Sequence, residues 1–176
     1  MGNAAGDIRR ERGEKKMEQR ADKVTIISWS GDLDRAYPVV ILATTAAAAG
    51  MDVTIFSTFW GLLLLKKKDR GITGTDWMTK MLSMMEPGGA KLPLSKLNMG
   101  GMGPWMMNKI FVKNNIPPLE EFWKMSVELG IKILPCQMTM DAFGLKRDDL
   151  IDGVGEPVGA ATAIMEASES KINWFI

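Results

Sequence analysis

The feature that most constrains the fold is a strand–helix–strand rhythm near the start of the chain. Residues 24–29 (VTIISW) form a short apolar run rich in β-branched residues, which predicts a buried first strand. Ser30-Gly31-Asp32-Leu33-Asp34 follows, with turn formers and two candidate helix N-caps. The alanine-rich stretch 35–49 reads as a helix able to pack closely on a sheet, with Pro38 suited only to its first turn and Gly50 as a stop. Residues 52–57 (DVTIFS) supply a second strand. Two strands and a helix within about thirty residues make one βαβ unit, which implies parallel pairing.

The alternation continues. Residues 58–68 are apolar and end in Lys66-Lys67-Lys68, as suits a helix C-terminus. At 76–85, Trp77, Met78, Met81, Leu82 and Met85 share one helical face. Over 86–106, Pro87-Gly88-Gly89, Pro93 and Gly100-Gly101-Met102-Gly103-Pro104 interrupt regular structure and predict a Gly/Met/Pro-rich excursion or lid. Helices are expected at 105–114 and 118–129, a third strand at 131–134, and a helix at 137–143 closed by Gly144. A short helix or turn at 146–149, a short strand at 150–154, a helix at 156–168 and a final strand at 172–176 complete the pattern. The expected fold is a three-layer, flavodoxin-like α/β domain over 24–176, with a mostly parallel sheet of about five strands. A charged, flexible tail is expected over 1–23.

Composition removes several kinds of chemistry. The chain has no histidine, which takes away the usual general base and the commonest metal ligand. Its single cysteine, Cys136, can form neither an internal disulfide nor a cysteine zinc site within one chain, so no metal is expected and a reducing cytoplasm is the natural setting. A formal net charge of +1, with no basic stripe among the aromatics, gives no nucleic-acid footprint. The N-terminus lacks the apolar core of a signal peptide. Residues 39–65 are long enough to span a bilayer. Asp52 near their centre would cost about 2.5–3.5 kcal/mol there, so two buried elements joined by a turn explain them better than a membrane segment does.

The same topology says where chemistry belongs. Open parallel sheets bind ligands beyond the carboxyl ends of their strands, where strand order reverses. In a flavodoxin-like order that crevice lies between the first and third strands. The first strand runs into Ser30, Gly31 and Asp32, and the third runs directly into Cys136. A cysteine just before a helix faces unpaired amides and the positive end of the helix dipole, which favour the thiolate. A lone cysteine is otherwise an ordinary small buried hydrophobe; its place at a strand end and helix start shifts the balance to function. The Ser30–Asp32 loop can cradle an anion, or serve as a plain turn with helix capping. Gly153-x-Gly155-x-x-x-Gly159 has one residue too many for a dinucleotide fingerprint and reads as a turn with close packing. The methionine-rich stretch from Met78 to Met107 reads as adaptable packing, or as a soft apolar surface for a partner.

Cys136-Gln137-Met138-Thr139-Met140-Asp141-Ala142-Phe143-Gly144 resembles the Cys-x-Met-[Ser/Thr]-Met-Asp-x-x-Gly segment of DsrE/DsrF-like proteins, in the branch labelled peroxiredoxin-like or second-type DsrE. Gly31-Asp32-Leu33-Asp34 with Ala36, the Phe59-Trp60-Gly61 step and the closing Ile-Asn-Trp-Phe-Ile run are similar to that branch as well, so the resemblance covers 24–176. It implies a DsrE-type fold, a homo-oligomer, and a sulfur carrier of the sulfurtransferase type. Sulfane sulfur, as persulfide or thiosulfonate, would be held on Cys136 and exchanged with TusA-like or rhodanese-like partners, without a cofactor. Gln137, Thr139 and Asp141 match or adjoin motif positions and are candidate binding residues beside it. Relatives with additional cysteines differ from this chain, which has no second thiol for an internal relay. Alternative readings are a flavin- or nucleotide-binding module, a one-cysteine thiol peroxidase, and a membrane-peripheral scaffold built on 39–65.

Overall fold

The computed structural model describes residues 22–67 and 92–176. Residues 1–21 of the tail expected over 1–23, the helix at 76–85 and the first part of the excursion lie outside the described residues, while Lys23 already belongs to the first strand.

Four strands form one parallel sheet: β1 (Lys23–Ser28), β2 (Asp52–Ser57), β3 (Lys132–Pro135) and β4 (Ile172–Phe175). Their order is β3-β2-β1-β4. Helix α1 (Leu33–Ala48) connects β1 to β2, as the opening βαβ spacing requires. Pro38 lies a turn deeper in α1 than expected, because the helix starts at Leu33. A single helical turn, α2 (Trp60–Leu63), follows β2. After a 3-10 turn at Met99–Gly101 come α3 (Met102–Lys113) and α4 (Leu119–Glu128). Helix α5 (Gln137–Phe143) leaves β3, and α6 (Ala160–Ser168) precedes β4.

The layers follow from strand periodicity, since alternate residues point to opposite faces. Val24, Ile26, Val53, Ile55 and Ile133 point to one face and share the main core with α1 and with Trp123 of α4. On the other face Phe56 and Cys136 pack against Ala163 of α6, where Ile27, Leu134 and Val158 join them. Polar links tie α6 down: Thr25 Oγ1 and Ser170 Oγ are 2.7 Å apart, and Thr54 Oγ1 donates to Glu166 Oε2 at 3.2 Å. Helices thus cover both faces, and the three-layer α/β expectation holds.

Four differences from the sequence reading have physical causes. The stretch 58–68 gives only one helical turn, because Lys66 leaves it to pair with Leu150 in an antiparallel bridge. No strand forms at 150–154; Gly153 turns there with φ 83°. Residues 155–158 instead lie along β3, with the Gly155 amide donating to the Ile133 carbonyl at 2.8 Å and the Val158 amide to the Pro135 carbonyl at 2.9 Å. Pro157 has no amide to extend that ladder, so the sheet has four strands rather than five, and α6 starts only at Ala160. Finally, β2 lies between β1 and β3, so the expected crevice between the first and third strands does not form. No described helix is long and apolar enough to cross a membrane; residues 39–65 divide among α1, β2 and α2.

Candidate functional site

Cys136 is the N-cap of α5, in extended conformation at the end of β3. Backbone bonds fix it on both sides. Its amide donates to the Ser57 carbonyl at 2.9 Å, its carbonyl accepts from the Met140 amide at 3.0 Å, and the Gln137 amide donates to the Val158 carbonyl at 2.9 Å. The cysteine is only 2% exposed.

Parallel register brings β2 into the site. Ser57 pairs with Pro135, so the next residue, Thr58, falls beside Cys136. Thr58 Oγ1 and Thr139 Oγ1 are 3.2 Å apart, and the Phe59 amide donates to Thr139 Oγ1 at 3.1 Å. Phe59 holds a left-handed φ of 47°, a conformation that costs a non-glycine residue about 1–3 kcal/mol and is common at functional sites. The residue is 58% exposed. Trp60 then packs on Phe143 at the far end of α5, with centroids 5.5 Å apart and the rings tilted by 31°.

Burial pushes the Cys136 thiol up. The Thr139 hydroxyl and amide, the Thr58 hydroxyl and the Met138 amide outweigh that push and hold it below the ordinary thiol range. The neutral thiol makes no capping bond to the helix, so these donors act on the ionised form. The arrangement favours a thiolate kept from water, a state suited to nucleophilic attack on sulfur. Two of the four donors are helix-start amides, as expected of a cysteine preceding a helix.

The other candidate residues divide. Thr139 is buried in the site. Gln137 and Asp141 bond each other on the exposed face of α5, Gln137 Nε2 to Asp141 Oδ1 at 2.7 Å. Ser30, Gly31 and Asp32 form a tight turn, with Ser30 Oγ donating to Asp32 Oδ2 at 2.9 Å and Arg35 Nε 3.7 Å from the same oxygen. Among the described residues they make no hydrogen bond to Cys136, and Gly31 lies against Trp60. A Cβ on Gly31 would lie 3.1 Å from the Trp60 carbonyl oxygen, and one on Gly61 only 2.2 Å from that of Ser28. The β2–α2 step therefore joins the two loops. Sequence reasoning singled out neither Thr58 nor Val158; strand register would have found Thr58. Among the described residues, no group of three or more Cys, Asp or Glu side chains is placed to hold a metal ion.

Comparison with known proteins agrees with this architecture. The chain is 38% identical over 161 residues to the uncharacterised protein YrkE of Bacillus subtilis, covering 91% of this chain and all of that one. It is 39% identical over 166 residues to the sulfur carrier protein DsrE2 of Allochromatium vinosum, with the same coverage. Among solved structures, the fold matches the E. coli ychN protein (TM-score 0.53, 9% identity) and the protein of unknown function MTH1491 from Methanobacterium thermoautotrophicum (TM-score 0.50, 12% identity). Each alignment covers 88% of this chain and 99% of the other. The model of the DsrE/DsrF/DrsH-like family matches residues 20–175, and the chain belongs to that family.

Proposed function

We propose that this protein is a sulfur carrier that holds sulfane sulfur on Cys136 and exchanges it with partner proteins. The observation that carries the reading is the setting of the chain's single cysteine, buried at the end of β3 and the start of α5 and held below the ordinary thiol range. The likeness to a sulfur carrier protein over nine-tenths of the chain supports it.

In loading, the Cys136 thiolate attacks the terminal sulfur of a donor persulfide, R–S–S⁻. The S–S bond of the donor breaks, R–S⁻ leaves, and Cys136–S–S⁻ remains. In unloading, an acceptor thiolate attacks that outer sulfur and returns the Cys136 thiolate. Each step exchanges one S–S bond for another, so no external oxidant or reductant enters. The Met138 and Thr139 amides and the Thr58 and Thr139 hydroxyls stabilise the anion at both stages. Because Cys136 is buried, exchange includes a step that uncovers the sulfur.

The partners are TusA-like or rhodanese-like proteins with their own reactive cysteines, and the setting is a reducing cytoplasm. The unit is a single domain over 24–176 that self-associates. Exposed Ile164, Met165 and Phe175 on α6 and edge strand β4 support self-association, which light scattering measures directly. Carrier exchange is tested by mixing sulfur-loaded protein with a reduced TusA-like acceptor and weighing both by intact-protein mass spectrometry. One sulfur should leave this protein and appear on the acceptor. Retention of the sulfur with every acceptor tried would refute exchange.

A further inference from the structure

Away from Cys136, a cavity of about 590 Å³ opens between α1, α4 and the segment after β2. Leu33, Tyr37 and Ile151 give it apolar walls, and its size falls in the range of small-molecule sites. Two mostly buried residues of the lining carry donors. Lys66 is 4% exposed, yet its ammonium makes no hydrogen bond or ion pair within 4.0 Å among the described residues. Asp149 attracts it from a distance, while its own Oδ2 accepts from the Lys146 amide at 2.8 Å. The buried Trp123 Nε1 likewise has no partner. An unpaired buried indole N–H is costly, and so is holding a cation in a mostly buried residue. Lys67 of the lining is paired with Asp152 at 2.9 Å, and Lys124, Glu120 and Glu128 line the same cavity.

We propose that this cavity binds a small carboxylate with an apolar body, its carboxylate on the Lys66 ammonium and its body among the apolar walls. A carboxylate is acceptor-only and matches a cationic donor, whereas a neutral apolar molecule fills the space and offers the Lys66 ammonium no acceptor. Burial holds the Lys66 ammonium below the ordinary lysine range, and a bound carboxylate reverses that.

Titration calorimetry with decanoate, and separately with decanol, tests the site. Wild type should bind decanoate saturably, one per chain, and more tightly than decanol. Lys66→Met keeps the apolar stem; it should weaken decanoate by about tenfold or more and leave decanol little changed. Leu119→Trp, on the cavity wall, should weaken both ligands. Cys136→Ser should bind decanoate like wild type, which separates this site from sulfur chemistry. Absence of saturable decanoate binding to the wild type, or equal affinity for both ligands, would overturn the proposal. If Lys66→Met does not fold, the decanoate preference of wild type and the weaker binding of both ligands to Leu119→Trp decide the matter.

Discussion

Thr139→Val is the sharpest probe of how this protein sets its cysteine. Valine keeps the shape of threonine and removes the hydroxyl, which is the largest of the contributions that lower Cys136. A hydrogen bond to a charged group is worth about 1.5–3 kcal/mol, and one pKa unit corresponds to about 1.4 kcal/mol. Loss of the hydroxyl removes stabilisation from the thiolate alone, so the thiol should titrate above its wild-type position. The substitution also strips the Phe59 amide of its acceptor, which loosens the residue beside the thiol. With cysteine buried to 2% exposure, water cannot replace the lost donor. Ultraviolet absorbance of the thiolate reads the titration directly, with Cys136→Ser as the blank that removes tyrosine ionisation. Thr139→Ser, which retains the hydroxyl, should titrate close to wild type. A valine variant that titrates with wild type, or below it, would refute the assignment of Thr139 as a thiolate donor.

Three further outcomes follow from the geometry. The folded-state value of Cys136 is lowered, so its thiolate contributes stability that is fully present above the ordinary thiol value and lost as pH falls through the folded one. The difference in urea-unfolding stability between wild type and Cys136→Ala should therefore grow as pH rises across that window; a constant difference would contradict it. Gly61→Ala forces a methyl to within 2.2 Å of the Ser28 carbonyl oxygen and should cost about 1–3 kcal/mol or more in the same assay, whereas a neutral result would mean the β2–α2 step yields freely. A double-mutant cycle on Trp60→Ala and Phe143→Ala should return a coupling of about 0.5–1.5 kcal/mol, and zero coupling would show that the ring pair does not join the step to α5.

What could be read from the chain alone was local or periodic. The runs VTIISW and DVTIFS gave β1 and β2 to within a residue, and Gly144, at φ 65°, closed α5 where expected. Cys136 at a strand end and helix start was legible for the same reason, since both elements are defined by neighbours in sequence. The errors came from long-range pairing. Lys66 leaves its apolar run for a bridge to Leu150, and residues 155–158 are held straight by β3 rather than by their own propensity. Strand order also depends on packing that periodicity does not encode, so the crevice was placed wrongly although the cysteine was not. Thr58 carried no local signal; its role emerges only from the β2–β3 register.

The central claim is that Cys136 carries sulfur, and intact-protein mass spectrometry tests it most directly. Wild type and Cys136→Ser are incubated with polysulfide and, separately, with tetrathionate. The wild type should gain added sulfur from the first or a thiosulfonate group from the second, the additions should reverse with reductant, and the serine variant should remain unmodified. A wild type of unchanged mass under both conditions, or equal additions to the serine variant, would contradict the account.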